Sequence, residues 1–519
     1  MHKLSYLSGA ASILLIGIIT GQDTSIRADW TLSGHDINNS RSQPLETRIS
    51  PATANQLAVK WSFTTGGDVS ATPTVADNTV YLPDWGGNLY ALRADTGQQI
   101  WSRKISSYTG IGQIGVVSRV SPSIFQDTLI LGDNVTASQQ HDGAHVFAVD
   151  RATGNLRWIT QVDPHPAAVI TSHPQISGNV VYLGVSSNEE LIAQNDAYMC
   201  CTFRGSVVAL NALTGAVLWK TFVIPDNQGF PTGYSGNAVW QPPAIDEGRG
   251  LLYVGTGNNY TVPESVKICQ QAPLADPTQT HNCTPPDNYL DSALALDLKT
   301  GQVKWAQRLS AYDAWTVACI TAPAPGPNCP APPGPDFDLS GSGPNLVAGL
   351  IGFGQKSGFY WSLRPESGNV VWNKFAGPGG TLGGIEWGSA TDGKRIYVAI
   401  GNNSHLKHTL LNGSEITWGS WSALDVTTGK ILWQTADPTP GALDTGAVSV
   451  ANGVVFAGSY SGGMYALAAD TGALLWSFNS GGSVIDGPAI VNGMVFWGSG
   501  YRKIPPGTGN NKLYAFGLP

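Results

Sequence analysis

Seven times along this chain the same order recurs: an alternating apolar run, a Thr-Gly or Ser-Gly turn, and a Trp four residues after the Gly. The runs are LYALRADTGQQIW ending at Trp101, VFAVDRATGNLRW at Trp158, VVALNALTGAVLW at Trp219 and ALALDLKTGQVKW at Trp305. FYWSLRPESGNVVW at Trp372, WSALDVTTGKILW at Trp433 and MYALAADTGALLW at Trp476 complete the set. An eighth Trp, Trp61 in LAVKWSF, has no such strand before it; a matching strand, KLYAFGLP from Lys512 to Pro519, stands at the other end of the chain. Period-2 alternation marks half-buried strands, and a repeat of roughly 40–50 residues with several short strands marks a propeller. The Gly allows the positive φ of the hairpin turn, and the flat Trp can wedge between neighbouring sheets. The expected fold is all-β: one eight-bladed β-propeller over residues 29–519, its ring closed by the C-terminal strand. Radial repetition of this kind leaves only short, protected sheet edges.

Composition agrees with a chain that is mostly sheet and tight turn. Charged residues are 12% of the total, about half of the usual ~25%, while Gly is 63 and Pro 33 of 519 residues. The 42% hydrophobic content and 17 Trp supply a large core and exclude disorder. The net charge of -8 argues against nucleic acid as a partner, since phosphate binding needs a basic surface.

Residues 1–28 read as a targeting segment. His2 and Lys3 precede an apolar, Gly/Ser-containing run to about Thr20, with small residues at Gly21 and Ala28 as alternative cleavage points. The run falls short of the ~20 unbroken apolar residues of a spanning helix, although an uncleaved anchor is the other reading. The expectation is an exported protein, periplasmic or secreted, with no stable membrane span after cleavage. Six cysteines fit an oxidising compartment. Cys269 and Cys283 bracket a polar insert, and Cys319 and Cys329 a Pro-rich one. The adjacent Cys200 and Cys201 either close a strained ring or stay free or separately paired. Without a Cys-x-x-Cys-His motif, no covalent haem is expected.

The Ala/Val-x-Asp-x-x-Thr-Gly-x-x-x-Trp repeat resembles the docking motif of the eight-bladed quinoprotein alcohol dehydrogenases. It does so over essentially the whole mature chain. The resemblance implies pyrroloquinoline quinone with a divalent metal. Non-catalytic scaffolds of outer-membrane assembly share the repeat, so function rests on the site residues.

A quinone with three carboxylates needs flat surfaces, donors for its acids and a hard cation held by oxygen ligands. On the family's pattern, Thr171 and Ser186 hold the cofactor and Glu189 ligates the metal, with Glu190 a one-residue alternative. Trp240 and Asn258, 18 residues apart, match the stacking Trp and the Asn metal ligand. The family's base follows a His-Asp-x-Trp element. Here YDAW ends at Trp315, an insert intervenes, and Asp-x-Asp appears only in GPDFDLSGSGP. The membrane glucose dehydrogenases place the base at the first of these, so Asp336 is taken as base and metal neighbour, Asp338 as a second carboxylate at the metal, and Asp313 as runner-up. Lys356 takes the place of the family's Arg or Lys that bonds the quinone oxygens. Arg119 resembles the Arg that grips a cofactor carboxylate.

Two departures stand out. The adjacent cysteines lie after Glu189, in YMCCTFRGSVVAL, rather than just before the Arg at 119, where methanol-oxidising members carry them. With GVSSNEE and GQKSG, this is most similar to the polyvinyl alcohol dehydrogenase branch and suggests a cap from a different blade. Glu386 stands where the family commonly has Asn. The resemblance therefore implies oxidation of a primary or secondary alcohol, polyvinyl alcohol being one candidate, by hydride transfer to quinone bound with Ca2+ or another di- or trivalent ion. Asp336 would take the hydroxyl proton, and electrons would pass to a separate acceptor such as a soluble cytochrome c. The alternatives are a non-catalytic scaffold, which needs neither metal ligands nor a stacking Trp, and a polymer-binding propeller.

Overall fold

A computed structural model of the chain describes residues 28–109, 115–136, 141–274 and 281–519. The targeting segment read at residues 1–28 lies outside the described residues except for Ala28. Among the described residues, eight antiparallel sheets of four core strands form an eight-bladed β-propeller. Blade 1 runs outward through Thr74–Ala76, Thr79–Pro83, Asn88–Arg93 and Gln99–Lys104. Blades 2 to 7 end on the outer strands Leu156–Asp163, Val217–Phe222, Val303–Arg308, Val370–Phe375, Ile431–Ala436 and Leu474–Asn479. Blade 8 takes Ala489–Val491, Met494–Ser499 and Lys512–Gly517 from the C-terminal end and its outer strand, Ala58–Thr64, from near the start. Trp61 there stands opposite Ala515. Inner strands are buried on both faces by neighbouring blades and so read as nearly continuous apolar runs. Outer strands keep one face in water and alternate.

The repeat explains itself once the blades are side by side. Each turn Gly has φ near +70°, and a Cβ on it would run into the indole of the preceding blade: Gly215 against Trp158, Gly301 against Trp219, Gly472 against Trp433. The same indoles donate Nε1–H to the carbonyl three residues before that Gly, at Ala212, Leu298 and Ala469. The turn itself is held by its acid. Asp297 Oδ1 accepts from the backbone of Lys299 and Thr300 and from the Thr300 hydroxyl, an Asx turn repeated at Asp150 and Asp425. Gly and Trp are therefore one device, a turn into which the neighbouring blade's Trp docks, and in three of the seven turns an Asp four residues before the Gly shapes it as well. At the closure, where blade 8 lacks such a turn, Trp476 donates instead to Leu57.

Residues 30–43 cross beneath the innermost strands. Trp30 bridges Val75, and the carbonyls of Thr31, Ile37, Asn38, Ser40 and Arg41 accept from Ile124, Ile245, Leu346, Thr391 and Val450. Those partners lie in the first strands of blades 2, 4, 5, 6 and 7. Asn39 and Arg41 add side-chain bonds to Pro243 and Val448. One segment thus satisfies the inward-facing backbone of six blades and floors the central channel.

Candidate active site

Opposite that floor, the turns leading into the innermost strands surround a cavity of about 540 Å³. Blade 2 contributes Arg119, blade 3 Thr171, blade 4 Trp240, blade 5 Asp336 and Asp338, and blade 6 Glu386. Ser186, Asn258 and Lys356 enter from strand ends of blades 3, 4 and 5. A larger groove of about 850 Å³ lies beside Cys269–Cys283 at the edge of blade 4, lined by prolines, tyrosines and Arg308; no carboxylate among the described residues faces it.

The chain is brought to this geometry by local rules. Gly257 lets the turn before Asn258 approach blade 5: a Cβ there would lie 2.5 Å from Asp338 Oδ1. The Asn258 backbone N–H then donates to Asp338 Oδ1 at 2.7 Å. The Asn258 amide donates to the carbonyls of Asn259 and Trp315, leaving Oδ1 as the end available to a cation. Asp336 has φ +61. Its N–H and that of Phe337 donate to the two oxygens of Asp313, at 3.0 and 2.5 Å. The Pro-rich insert leaves and returns at this point, so Asp313 and Asp336 are neighbours in space although 23 residues apart. Asp313 does not line the cavity; it holds up the loop that carries Asp336.

Lys356 Nζ lies 3.0 Å from Asp336 Oδ1 and 2.9 Å from Asp338 Oδ2. Burial alone would lower its pKa, but Asp336 and Asp338 hold it well above the usual lysine value. One ammonium cannot balance the carboxyls around it. Burial, with Asp338 and Glu190 nearby, pushes Asp336 well above the usual range against the pull of Lys356. Burial raises Glu190 to about 8 and Glu386 to about 7, again opposed by Lys356. Asp336 Oδ2 and Glu190 Oε1 are buried with no hydrogen-bond partner. Orphaned carboxyl oxygens, acids that burial keeps from ionising until positive charge arrives, and an all-oxygen donor set fit a hard cation.

The far end of the cavity is aromatic. Trp240 meets Trp387 edge-on at 5.3 Å, and the Arg119 guanidinium sits 4.4 Å over Trp387. Lys356 Nζ lies 5.3 Å over the Trp240 ring, joining the charged and flat ends. Thr171 Oγ1 donates to the Trp240 carbonyl and fixes its turn. This combination of flat wall, guanidinium and hydroxyls fits a planar polyacid.

Similarity to known proteins agrees with this geometry. Residues 30–325 match the glucose/ethanol/alcohol dehydrogenase β-propeller family model. The chain belongs to that family. This quinoprotein dehydrogenase is 31% identical to polyvinylalcohol dehydrogenase from a Pseudomonas species, over 93% of its own length and 75% of the relative's. It is 30% identical to polyvinylalcohol dehydrogenase from a Sphingopyxis strain, over 96% and 78%. Quinohemoprotein alcohol dehydrogenase from Comamonas testosteroni has the same fold, with TM-score 0.67 at 20% identity, covering 95% of this chain and 80% of that one. Residues 419–516 also match a model of the outer-membrane assembly factor BamB.

The quinoprotein's structure brings Arg119, Thr171, Ser186, Trp240, Asn258, Asp336, Asp338, Lys356 and Glu386 into one cavity. It places Glu189 elsewhere. That carboxylate is wholly buried behind the wall, accepting from Tyr198 Oη, Thr202 N and Phe203 N at 2.8 Å each. The carboxylate facing the cavity is that of Glu190, because both begin the short helix Glu189–Ile192 and successive helical side chains point about 100° apart. All six cysteines are paired: Cys200–Cys201, Cys269–Cys283 and Cys319–Cys329. The vicinal pair does not touch the cavity as a cap would; Cys201 is packed among the core behind Glu189. Trp387, Trp85 and Tyr501 were not legible as site residues, although Trp387 directly follows Glu386. No helix among the described residues is long and apolar enough to cross a membrane.

Proposed function

We propose that this quinoprotein oxidises a primary or secondary alcohol, with pyrroloquinoline quinone and Ca2+ held in the cavity. The observation that carries the reading is the buried, unpartnered Oδ2 of Asp336 beside Lys356, within a ring of carboxyls that one ammonium cannot neutralise. Glu190, Asn258 and Asp338 would hold the cation, with Asp336 beside it. Trp240 would supply the stacking face, Arg119 a fork for a cofactor carboxylate and Ser186 a hydroxyl donor, while Thr171, its own proton given to the Trp240 carbonyl, would hold the cofactor by fixing that turn. When bound, quinone and cation supply the hydride acceptor and the charge that polarises it. Asp336 takes the proton from the substrate hydroxyl at its free oxygen, and Lys356 holds the other oxygen in place. Lys356 also offers positive charge where negative charge grows during reaction.

Leu191, Ile320, Leu382 and Ile504 give part of the cavity an apolar lining suited to a carbon chain that carries hydroxyls. This and the names of the relatives favour a polymeric or long-chain secondary alcohol. Residues 419–516, the part similar to the assembly factor, supply Lys503 but none of the cavity's carboxyls, so the scaffold reading leaves the carboxyl cluster without a purpose. Export through residues 1–28 and electron transfer to a soluble cytochrome c complete the proposal.

The test is dye reduction by the purified protein across an alcohol panel, with quinone and calcium added together and singly. Turnover that needs both supports the reading. No turnover with any alcohol, together with no quinone binding, removes it.

A further inference from the structure

Behind the cavity wall, three separate pieces of chain converge on the helix Glu189–Ile192. The first is the segment with the adjacent cysteines. Tyr198 precedes Cys200–Cys201, and Thr202 and Phe203 follow; all three donate to the Glu189 carboxylate. Both Glu189 oxygens are thereby used, and the carboxylate closes a loop of 14 residues onto the helix that begins it. The second is the Cys319–Cys329 insert. Asn328 sends its amide into the same loop, donating to the carbonyls of Ala193, Asn195 and Tyr198 at 3.1, 3.2 and 2.9 Å. The third is His165. Its Nδ1 accepts from Ala167 N–H, which leaves Nε2 to meet Thr202 Oγ1 at 3.0 Å, 3.6 Å from Glu189 Oε1. None of these groups lines the cavity, yet the residue after Glu189 does.

A helix of four residues has almost no stability of its own. Its direction, and so the place of the Glu190 carboxylate, must be set by what grips it. Among the described residues the grip includes a carboxylate with three donors that flank the Cys200–Cys201 pair, and an amide with three acceptors that stands in the loop closed by Cys319–Cys329. We propose that Glu189 and Asn328 are positioning residues that lock the Cys200–Cys201 loop and the Cys319–Cys329 loop onto one helix, so that Glu190 is presented to the cation. The adjacent cysteines serve the metal ligand from behind rather than covering the cofactor. The inference rests on Glu190 being a cation ligand, as read above.

Calcium binding to the full-length protein tests it without turnover. Calorimetric titration would compare wild type, Glu190→Gln, Glu189→Gln, Asn328→Ala and Asn328→Gln, with the calcium-free melting temperature of each. Outer partners of metal ligands typically change affinity 10–100-fold. The expected result is a Kd raised about 10-fold in Glu189→Gln and Asn328→Ala and raised further in Glu190→Gln. Asn328→Gln, which keeps the donor, should recover part of the loss. A melting temperature that falls without any change in Kd would mark Glu189 and Asn328 as merely structural and overturn the proposal. Unchanged Kd in Glu190→Gln would instead remove Glu190 from the cation site, and the proposal with it. If Glu189→Gln does not fold, the two Asn328 variants decide the matter.

Discussion

Lys356 Nζ binds one oxygen of Asp336 at 3.0 Å, while the other oxygen of the same carboxylate is buried with no partner. The ammonium fixes the group's orientation and spends only half of its accepting capacity. Asp336→Asn preserves the shape but cannot take a proton, so kcat should fall ~10²–10⁴-fold while quinone still binds. Single-turnover rates with saturating quinone and calcium measure this. Full activity in the variant would move the base elsewhere.

Asp313 supports the base from below, through the N–H groups of Asp336 and Phe337. Asp313→Asn should therefore lower thermal stability and reduce kcat by less than about tenfold, well short of the loss of a general base. If Asp313→Asn is dead while Asp336→Asn turns over, the two roles are exchanged.

Trp240 offers its face to the cavity, between Lys356 and Trp387. Trp240→Ala should weaken quinone binding several-fold or more, since stacking adds ~0.5–1.5 kcal/mol beyond area. Fluorescence titration with the quinone reads the effect; an unchanged Kd would exclude stacking at this residue.

The calcium-free protein should lose stability as the pH rises. Burial holds Glu190 at about 8 and Glu386 at about 7, against ~4.3 for a Glu in the unfolded chain. The folded form binds these protons more tightly. Its advantage is complete below the unfolded value and disappears as the pH passes through the folded values. A bound cation favours the ionised carboxyls and reverses the trend. The gain in melting temperature on adding calcium should thus be larger near about pH 8.5 than near about pH 5.5. Equal gains at both would place these carboxyls outside the cation site.

The docking turns can be tested by paired substitutions. Gly215 and Gly250 both have positive φ, +74 and +67, but a Cβ meets Trp158 only at Gly215 and open space at Gly250. Gly250→Ala should cost the backbone term alone, ~1–2 kcal/mol. Gly215→Ala should cost distinctly more in denaturant titration. Equal costs would mean that the indole contact contributes nothing.

The blades were legible because their motif is local. Turn acid, Gly and Trp sit within nine residues, and each part has its own spacing requirement. Trp240, Asn258, Asp336 and Lys356 were named through the family resemblance, not through the repeat, and the fold brings all four to one cavity because each sits on a strand end or turn at the same end of the blades. Glu189 and Glu190 could not be separated in that way. Ser187 closes the strand by accepting from Glu189 N–H, and the chain turns helical at that residue. A one-residue choice that is harmless in a loop becomes a different direction on a helix. The floor formed by residues 30–43 left no pattern to read, since it is irregular chain held mostly by backbone carbonyls that any residue possesses.

That floor also sets the traffic of the molecule. With residues 30–43 bonded across the channel, the proposed cation, quinone, alcohol and product would all enter and leave from the cavity's own side, past Leu191, Ile320, Leu382 and Ile504. On the proposed reading the cofactors would be loaded first, and a seated alcohol would then stand between them and solvent. Cofactor loss would then be slowest during turnover and fastest in the idle protein.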